Sequence, residues 1–465
     1  MTTWSPTLED RQGPGYARLL EALTEDISRG TLQPGERLPT QRDLSRTLGV
    51  ALGTVTRAYT EGVRSGFLEA RVGRGTFVAR KSESEPDGPW TSFLRSGGLL
   101  DLALNHPLHC LDPDLRAALR GLARRPATED CLRYQPQGGS ERHRRAGATW
   151  SRFFGHADEP GTTHLCSGAQ HAVFVALASF AQPGDGIACD RLTYPGFLAS
   201  SRILRLKPEP IPGDAEGILP AALDAACRRR RLRGLYCMPN LNNPTAASLS
   251  AERREAIVDI ARRHGLLLLE DDTAPPHGES PPPALSSLAP ERGFFISSMS
   301  KLVAGGLRIG FLTAPREWTE KIVHALWATH WSVPQVMAEI ATTWIEDGTA
   351  LRVAERKLAE AEARQAIACE LLSFHDVRSA PASFFVWVPL PAGKSAGIVL
   401  EARRRGVAVT GGHPFSADGS GDPDGIRICI GGPESQDRLR EGLEILASVL
   451  SGQHRGGVPA EAPVL

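Results

Sequence analysis

The chain has 465 residues, 41% of them hydrophobic and 23% charged, with 53 basic and 53 acidic side chains and a formal net charge of zero. That length suggests about two to four domains rather than one, and the composition is that of a globular protein with a core. A balanced charge argues against a protein that coats nucleic acid along its whole length.

No apolar run reaches membrane-spanning length, and the N-terminus MTTWSPTLEDRQ carries acidic residues and no apolar secretory stretch. A cytoplasmic protein without a membrane partner is therefore expected. The cysteines at 110, 131, 166, 189, 227, 237, 369 and 429 include no close pair, so neither a disulfide framework nor a metal site is expected.

Charge is concentrated locally. From Arg37 to Arg80 there are eight arginines against three acids, a net charge of +5. Tyr16, Leu19, Leu20, Leu23 and Ile27 recur at helical spacing, with a stop near Gly30. Thr40 caps a short helix carrying Leu44 and Leu48, and Gly49 breaks it. A second helix is predicted from about Gly53 to Ser65 with Val55, Tyr59 and Val63 inward. Two short helices joined at a glycine form a helix-turn-helix pattern, which places the second helix in the major groove of double-stranded DNA. Residues 67–78 alternate and turn at Gly73 and Gly75, a hairpin wing with an arginine at its tip. Gly30 through Val78 resembles the GntR-type winged helix-turn-helix in its LQPGERLP core, TVTRAY helix and GRGTFV wing. The resemblance implies that Arg42 and Arg57 contact phosphates or base edges, Thr54 and Thr56 the backbone, and Gly73, Arg74 and Gly75 the minor groove. Ala51-Leu52 stands where the recognition helix of relatives opens with Ser-Arg.

Residues 81–98 are polar and rich in Pro, Gly and Ser, and read as a flexible linker. Beyond them, helical patterns alternate with short apolar runs at Thr163–Cys166, Gly186–Cys189, Gly234–Met238, Leu266–Leu269 and Phe294–Ile296. Continuous apolar strands between helices predict an α/β fold with a mostly parallel sheet covered on both faces. Ligands bind at the carboxyl ends of such strands. Those ends carry Ser167-Gly168-Ala169-Gln170 opening a helix, Tyr194-Pro195-Gly196, Asn240 to Thr245, and Glu270-Asp271-Asp272. The fifth leads into Ser297 to Gly310, where Lys301 lies among three serines, with a Gly-Gly turn and Arg308 following. A partly desolvated lysine amine attacks aldehydes, and a nearby arginine suits a phosphate. The run Arg228 to Arg233 reads as the solvated end of a helix, and Leu351 to Leu372 as a long helix leading to a smaller C-terminal subdomain.

Together these strand ends resemble the aspartate-aminotransferase superfamily, fold type I of the pyridoxal-phosphate enzymes. The resemblance implies an internal aldimine at Lys301, Asp271 on the pyridine nitrogen, Asn243 on the ring hydroxyl and Tyr194 stacked on the ring. It implies the phosphate on the amides of Ala169 and Gln170 with Ser298, Ser300 and Arg308, and a substrate or effector carboxylate on Arg427. Tyr134 matches a tyrosine that relatives bring from the partner subunit. Two departures are visible: Thr273 follows the acidic pair where relatives place a tyrosine, leaving that contact to Thr273 or missing, and Ala246 replaces a glycine.

A winged helix joined to such a domain resembles the MocR subfamily of GntR regulators. The expected division is 1–80 for the DNA-binding domain, 81–98 for the linker, 99–452 for the aminotransferase-like domain and 453–465 for a disordered tail. The expected function is a homodimeric transcriptional regulator that binds pyridoxal 5'-phosphate and senses an amino acid or amine by aldimine exchange at Lys301. The alternative is a working aminotransferase with DNA binding secondary or lost.

Overall fold

Helix α1 (Gly15–Ser28) buries Leu19, Leu20 and Leu23 at 1% exposure each, with Tyr16 and Ile27 packed beside them. A computed structural model describes residues 4–8, 14–28, 30–64, 67–71, 75–79, 99–126, 128–156, 160–272, 282–381, 383–421 and 423–454. Helix α2 (Gln41–Leu48) starts at Thr40, whose hydroxyl oxygen accepts from the Asp43 amide, and stops at Gly49, which is left-handed at φ 65°. Both ends follow from side-chain chemistry: a threonine supplies the missing acceptor, and glycine takes the αL cap without a Cβ clash.

Helix α3 (Leu52–Arg64) turns Val55, Ala58 and Tyr59 into the core shared with α1 and α2. Each fully buried aliphatic or aromatic side chain here contributes about 2 kcal/mol. The Tyr59 hydroxyl donates to the Pro39 carbonyl, so its polar tip is satisfied. Val63, expected inward, is 39% exposed. The inward line runs instead through Gly62, where Leu68 packs so closely that a Cβ would lie 2.8 Å from it. Strands β1 (Leu68–Arg71) and β2 (Gly75–Val78) pair antiparallel with Leu68 opposite Val78, forming the expected wing. Gly73 and Arg74 at its tip, residues 81–98 and Thr273 lie outside the described residues.

The large domain is built on seven strands: β3 (Thr163–Cys166), β4 (Gly186–Asp190), β5 (Lys207–Ile211), β6 (Leu232–Cys237), β7 (Leu267–Asp272), β8 (Gly293–Ser298) and β9 (Gly310–Thr313). Their order is β3-β9-β8-β7-β6-β4-β5, parallel except for β9, which runs antiparallel to both neighbours. Every residue of β7 and β8 is buried. Side-chain alternation divides them between two cores. Leu267, Leu269, Phe294 and Ile296 meet helix α4 (Gly168–Phe180), whereas Leu235, Leu266 and Leu268 meet helix α6 (Ala251–His264) on the other face. Helix α5 (Pro195–Ile203) follows β4 and adds Phe197 to the first core.

A long helix α7 (Thr349–Leu371) leads to the C-terminal subdomain, close to the bounds expected. There β10 (Phe385–Leu390), β11 (Thr410–Gly411) and β12 (Asp424–Cys429) form an antiparallel sheet in the order β10-β12-β11. Helices α8 (Ser395–Arg404) and α9 (Gln436–His454) cover it, with Ile398, Ala402, Leu439 and Leu443 packed near Ile426 and Ile428.

The winged helix rests on this subdomain. Leu400 of α8 packs against the α1–α3 core, and the Arg404 guanidinium lies 5.6 Å from the centre of the Tyr16 ring. The basic run at Arg228 is partly paired in place: Arg228 pairs with Asp224, and Arg229 and Arg230 pair with Glu209.

Candidate functional site

One end of the candidate site is assembled by α4 and the turn after β8. The first turn of α4 has no side-chain cap, so its amides and positive dipole end suit an anion. Gly168 is left-handed at φ 79°, and a Cβ there would come within 2.6 Å of an Arg308 guanidinium nitrogen. Arg308 therefore lies directly against this helix start. It is itself left-handed at φ 53°, a strained conformation of the kind that collects at ligand sites. Its Nη1 donates to Ser300 Oγ at 3.3 Å, and Ser298 Oγ donates to Ser300 Oγ at 3.0 Å. The start of α4, Ser298, Ser300 and Arg308 are thus brought together in one cradle. The Gln170 side chain has a different task, donating to the Gly196 carbonyl and Ser200 Oγ and so fixing the turn that carries Tyr194. A Cβ on Gly196 would collide with the Tyr194 ring at 2.4 Å.

Lys301 follows the cradle, and its Nζ donates to the Asn105 carbonyl. Burial pulls its amine down to about 8; the Cys429 thiol opposes that shift, and the Arg427 and Arg308 guanidiniums add to it. A substantial neutral fraction near neutral pH is what a nucleophilic amine requires.

At the far end Asp271 is 1% exposed. Burial raises its carboxyl to about 6, and a hydrogen bond from the Tyr236 hydroxyl, 2.8 Å from Oδ2, pulls it back. Its other oxygen, Oδ1, is buried with no hydrogen-bond partner among the described residues. An unmatched buried carboxylate oxygen fits a positively charged ring N–H. The flanking acids Glu270 and Asp272 belong to the opposite face: Glu270 accepts from Leu285 and Ser286, and Asp272 accepts from Asn240 Nδ2. Arg254 joins them by donating to Asn240 Oδ1 at 2.7 Å, which ties down the loop carrying Asn243. In that loop Ala246, the replacement for a glycine, adopts φ 58°, a left-handed position that costs a side-chain-bearing residue about 1–2 kcal/mol.

Asn243 and Arg427 meet directly, Arg427 Nη1 donating to Asn243 Oδ1 at 2.8 Å and Nη2 to the Ala103 carbonyl at 2.8 Å. Arg427 is 3% exposed, its Nε is unpartnered, and its guanidinium lies 4.9 Å from the Phe415 ring centre. Among the described residues Arg427 has no carboxylate partner, and a buried guanidinium has the geometry to accept one. Tyr194 senses Asp271, Arg308 and Arg427 together, and burial raises its phenol to about 12, which puts its ring among the same groups. Tyr134 is not gathered in: it is 89% exposed and packs on Trp331.

On the winged helix, Arg42 and Thr56 are exposed, and Thr56 donates to Gln41 Oε1. Thr54 is half-buried, its methyl close to Gly15 of α1. Arg57 is exposed, yet its guanidinium stacks 3.9 Å above the Tyr16 ring. Gly75 opens β2 at φ 107° beside Arg37.

Residues 98–444 match the family of class I and II aminotransferases. The chain belongs to that family. Residues 15–78 match the gntR family of bacterial regulatory proteins, so this class I and II aminotransferase domain follows a regulator's DNA-binding domain in the MocR arrangement. The HTH-type transcriptional regulator YdeF of Bacillus subtilis is 29% identical over 96% of this chain and 97% of its own length. The HTH-type regulator TauR of Rhodobacter capsulatus is 32% identical over 68% of this chain and 71% of its own. Among solved structures, the α-aminoadipate aminotransferase LysN of Thermus thermophilus superposes with a TM-score of 0.72 at 25% identity, over 79% of this chain and 95% of that one. Pyridoxal 5'-phosphate is the cofactor of this aminotransferase domain, and the cradle, Lys301 and the open Asp271 oxygen fit it in reactivity and charge.

Tyr236, Asn105 and Ala103 were not expected in the site from sequence. Two act through main-chain carbonyls and leave no side-chain signal. Tyr236 is found only from the strand register: it pairs with Leu269, two residues before Asp271 and on the same face of the sheet.

Proposed function

We infer that the protein is a DNA-binding transcriptional regulator whose pyridoxal-phosphate domain senses an amino acid or amine. The observation that carries this reading is that the subdomain holding Arg427 also holds α8, on which the winged helix rests through Leu400, Arg404 and Tyr16. The cofactor supplies an aldehyde on which one primary amine is exchanged for another. Lys301 Nζ is the resident amine and the incoming effector competes with it. Asp271 keeps the ring nitrogen protonated, and Asn243 donates to the ring oxygen, with Thr273 the candidate for the contact that relatives make with a tyrosine. Tyr194 stacks on the ring. The amides of Ala169 and Gln170, with Ser298, Ser300 and Arg308, hold the phosphate, while Arg427 takes the effector carboxylate. When a carboxylate replaces Asn243 Oδ1 on Arg427, β12 and its subdomain shift, and α8 carries the shift to Tyr16 and Arg57. Only a ligand with different affinities for the two arrangements moves the equilibrium.

The reading places Arg42, Thr54, Thr56, Arg57, Gly73, Arg74 and Gly75 on double-stranded DNA. It makes the chain a homodimer, with 1–80 as reader, 81–98 as linker, 99–452 as sensor and 453–465 as tail. A second copy would cover Leu132, Tyr134, Trp327 and Trp331, which are 41–89% exposed. That patch borders the phosphate cradle, because His330, next to Trp331, is hydrogen-bonded to Ser167 at 2.7 Å. No helix among the described residues is long and apolar enough to cross a membrane, and the reading is of a cytoplasmic protein.

Steady-state kinetics on the cofactor-loaded chain separate a sensor from a working aminotransferase. Mixing with a panel of amino acids and a 2-oxo acid acceptor is expected to change the visible spectrum once, with product not exceeding about one equivalent per site. Sustained turnover at the ordinary enzymatic rates of about 1–1000 per second would overturn the sensor reading.

A further inference from the structure

Tyr236 lies behind Asp271 and takes no direct part in the contacts assigned to the cofactor. Its ring is wholly buried in the middle of the sheet. It stacks on the Phe197 ring, with centroids 4.2 Å apart and an interplanar angle of 3°. A phenol is not needed to fill such a space, because phenylalanine has nearly the same volume. The hydroxyl is used, however: it donates to Asp271 Oδ2 at 2.8 Å.

We propose that Tyr236 is the positioning residue for Asp271, holding one carboxylate oxygen so that the other is presented to the pyridine nitrogen of the cofactor. The proposal rests on the reading of this pocket as a pyridoxal-phosphate site and adds a residue to it. Three observations support it together. Asp271 Oδ1 is left without a partner while Oδ2 is held, so the two oxygens are already differentiated. The Phe197 stack fixes the tyrosine ring, and Phe197 stands in the helix that begins at Pro195, directly after Tyr194, so one short segment supports both the ring-stacking residue and the residue behind Asp271. The other charged groups near Asp271 are engaged elsewhere. On its own strand Glu270 is held by Leu285 and Ser286, and Asp272 by Asn240; on α6, Arg254 is directed at Asn240, Leu249 and Pro239. From the remaining neighbours, Tyr194 carries a phenol raised by burial, and Cys237 beside Tyr236 a thiol raised by burial.

The hydroxyl also sets the charge of Asp271. Burial favours the neutral acid, and the Tyr236 hydrogen bond favours the carboxylate. Without that bond, the carboxyl would hold its proton to higher pH and would stabilise a protonated ring nitrogen less well.

The test uses the full chain and its Tyr236→Phe variant, which keeps the ring and the Phe197 stack. With pyridoxal 5'-phosphate bound, the pH midpoint of the visible absorbance band is expected to rise by half a unit or more. The cofactor dissociation constant is expected to rise about tenfold, the scale of one hydrogen bond to a charged group. Carbon-13 NMR of labelled aspartate in the cofactor-free chain gives a second readout: the Asp271 carboxyl, titrating at about 6 in the parent, moves upward in Tyr236→Phe. A variant with lower thermal stability but unchanged visible midpoint and unchanged Asp271 titration would overturn the proposal, because a purely structural tyrosine would behave that way. If the parent chain develops no visible band with pyridoxal 5'-phosphate, the site reading itself fails and the proposal falls with it.

Discussion

Lys301→Ala is expected to give a folded chain that still binds DNA but no longer holds its cofactor covalently. The lysine contributes one hydrogen bond, to the Asn105 carbonyl, and the fold around it is built from Met299, Leu302 and Val303, all fully buried. Its removal therefore takes away the nucleophile and leaves the core. The cradle, Tyr194 and Asp271 remain, so the cofactor can still enter, but no amine of the protein captures its aldehyde. Absorption spectra before and after borohydride reduction read this directly: the parent is covalently labelled, and the variant is not. The parent also carries a pH signature. An amine at about 8 rather than near 10.5 is mostly protonated below pH 7 and mostly neutral above pH 9, so the rate of cofactor capture is expected to rise with pH through a midpoint near 8. A midpoint above 10 would mean that the lysine is solvated and that the enclosed site described above does not form.

The second large effect is expected at Arg427. Its guanidinium is buried and forked between Asn243 Oδ1 and the Ala103 carbonyl, neutral acceptors that a carboxylate outcompetes. Arg427→Leu removes the cation and keeps an apolar volume beside Phe415 and Phe385. Losing one partner of a buried charge pair costs about 2–5 kcal/mol, so an amino-acid effector is expected to bind at least thirtyfold more weakly. An amine of the same length without a carboxylate is expected to lose little. Arg427→Lys is expected to fall close to Leu, because an ammonium cannot make the two-pronged contact. The measurement is the amine concentration that half-converts the visible spectrum, taken for both ligands in each variant. Equal losses for the two ligands would remove Arg427 from effector recognition.

Much of this site was legible in the chain because the sheet is buried on both faces. Runs such as Leu266 to Leu269 had to be strands, and the polar residues directly after them had to lie along one edge. Lys301, Asp271, Asn243 and Arg427 were found that way or through the resemblance, and the fold brings them together. Contacts that depend on register or on main-chain atoms were not legible. Tyr236 looks like one more apolar strand residue until β6 is placed beside β7, and the carbonyls of Ala103 and Asn105 have no signature at all. Periodicity also misjudged Val63, because it does not reveal that Leu68 fills the space above Gly62. The contact between Tyr16 and Arg404 joins residues nearly four hundred positions apart, and neither helix announces it. Arg57, which the resemblance to other winged helices assigns to DNA, lies over the same Tyr16 ring.

The central claim is that occupancy at Lys301 changes DNA binding, and the most direct measurement is a DNA titration. The cofactor-loaded full chain is titrated against double-stranded DNA flanking its own gene, alone and with each amine that alters its visible spectrum. At least one such amine is expected to change the DNA dissociation constant by about 5- to 150-fold, the usual range of coupling between two sites. An unchanged DNA dissociation constant with every amine that reacts at the site would contradict the account.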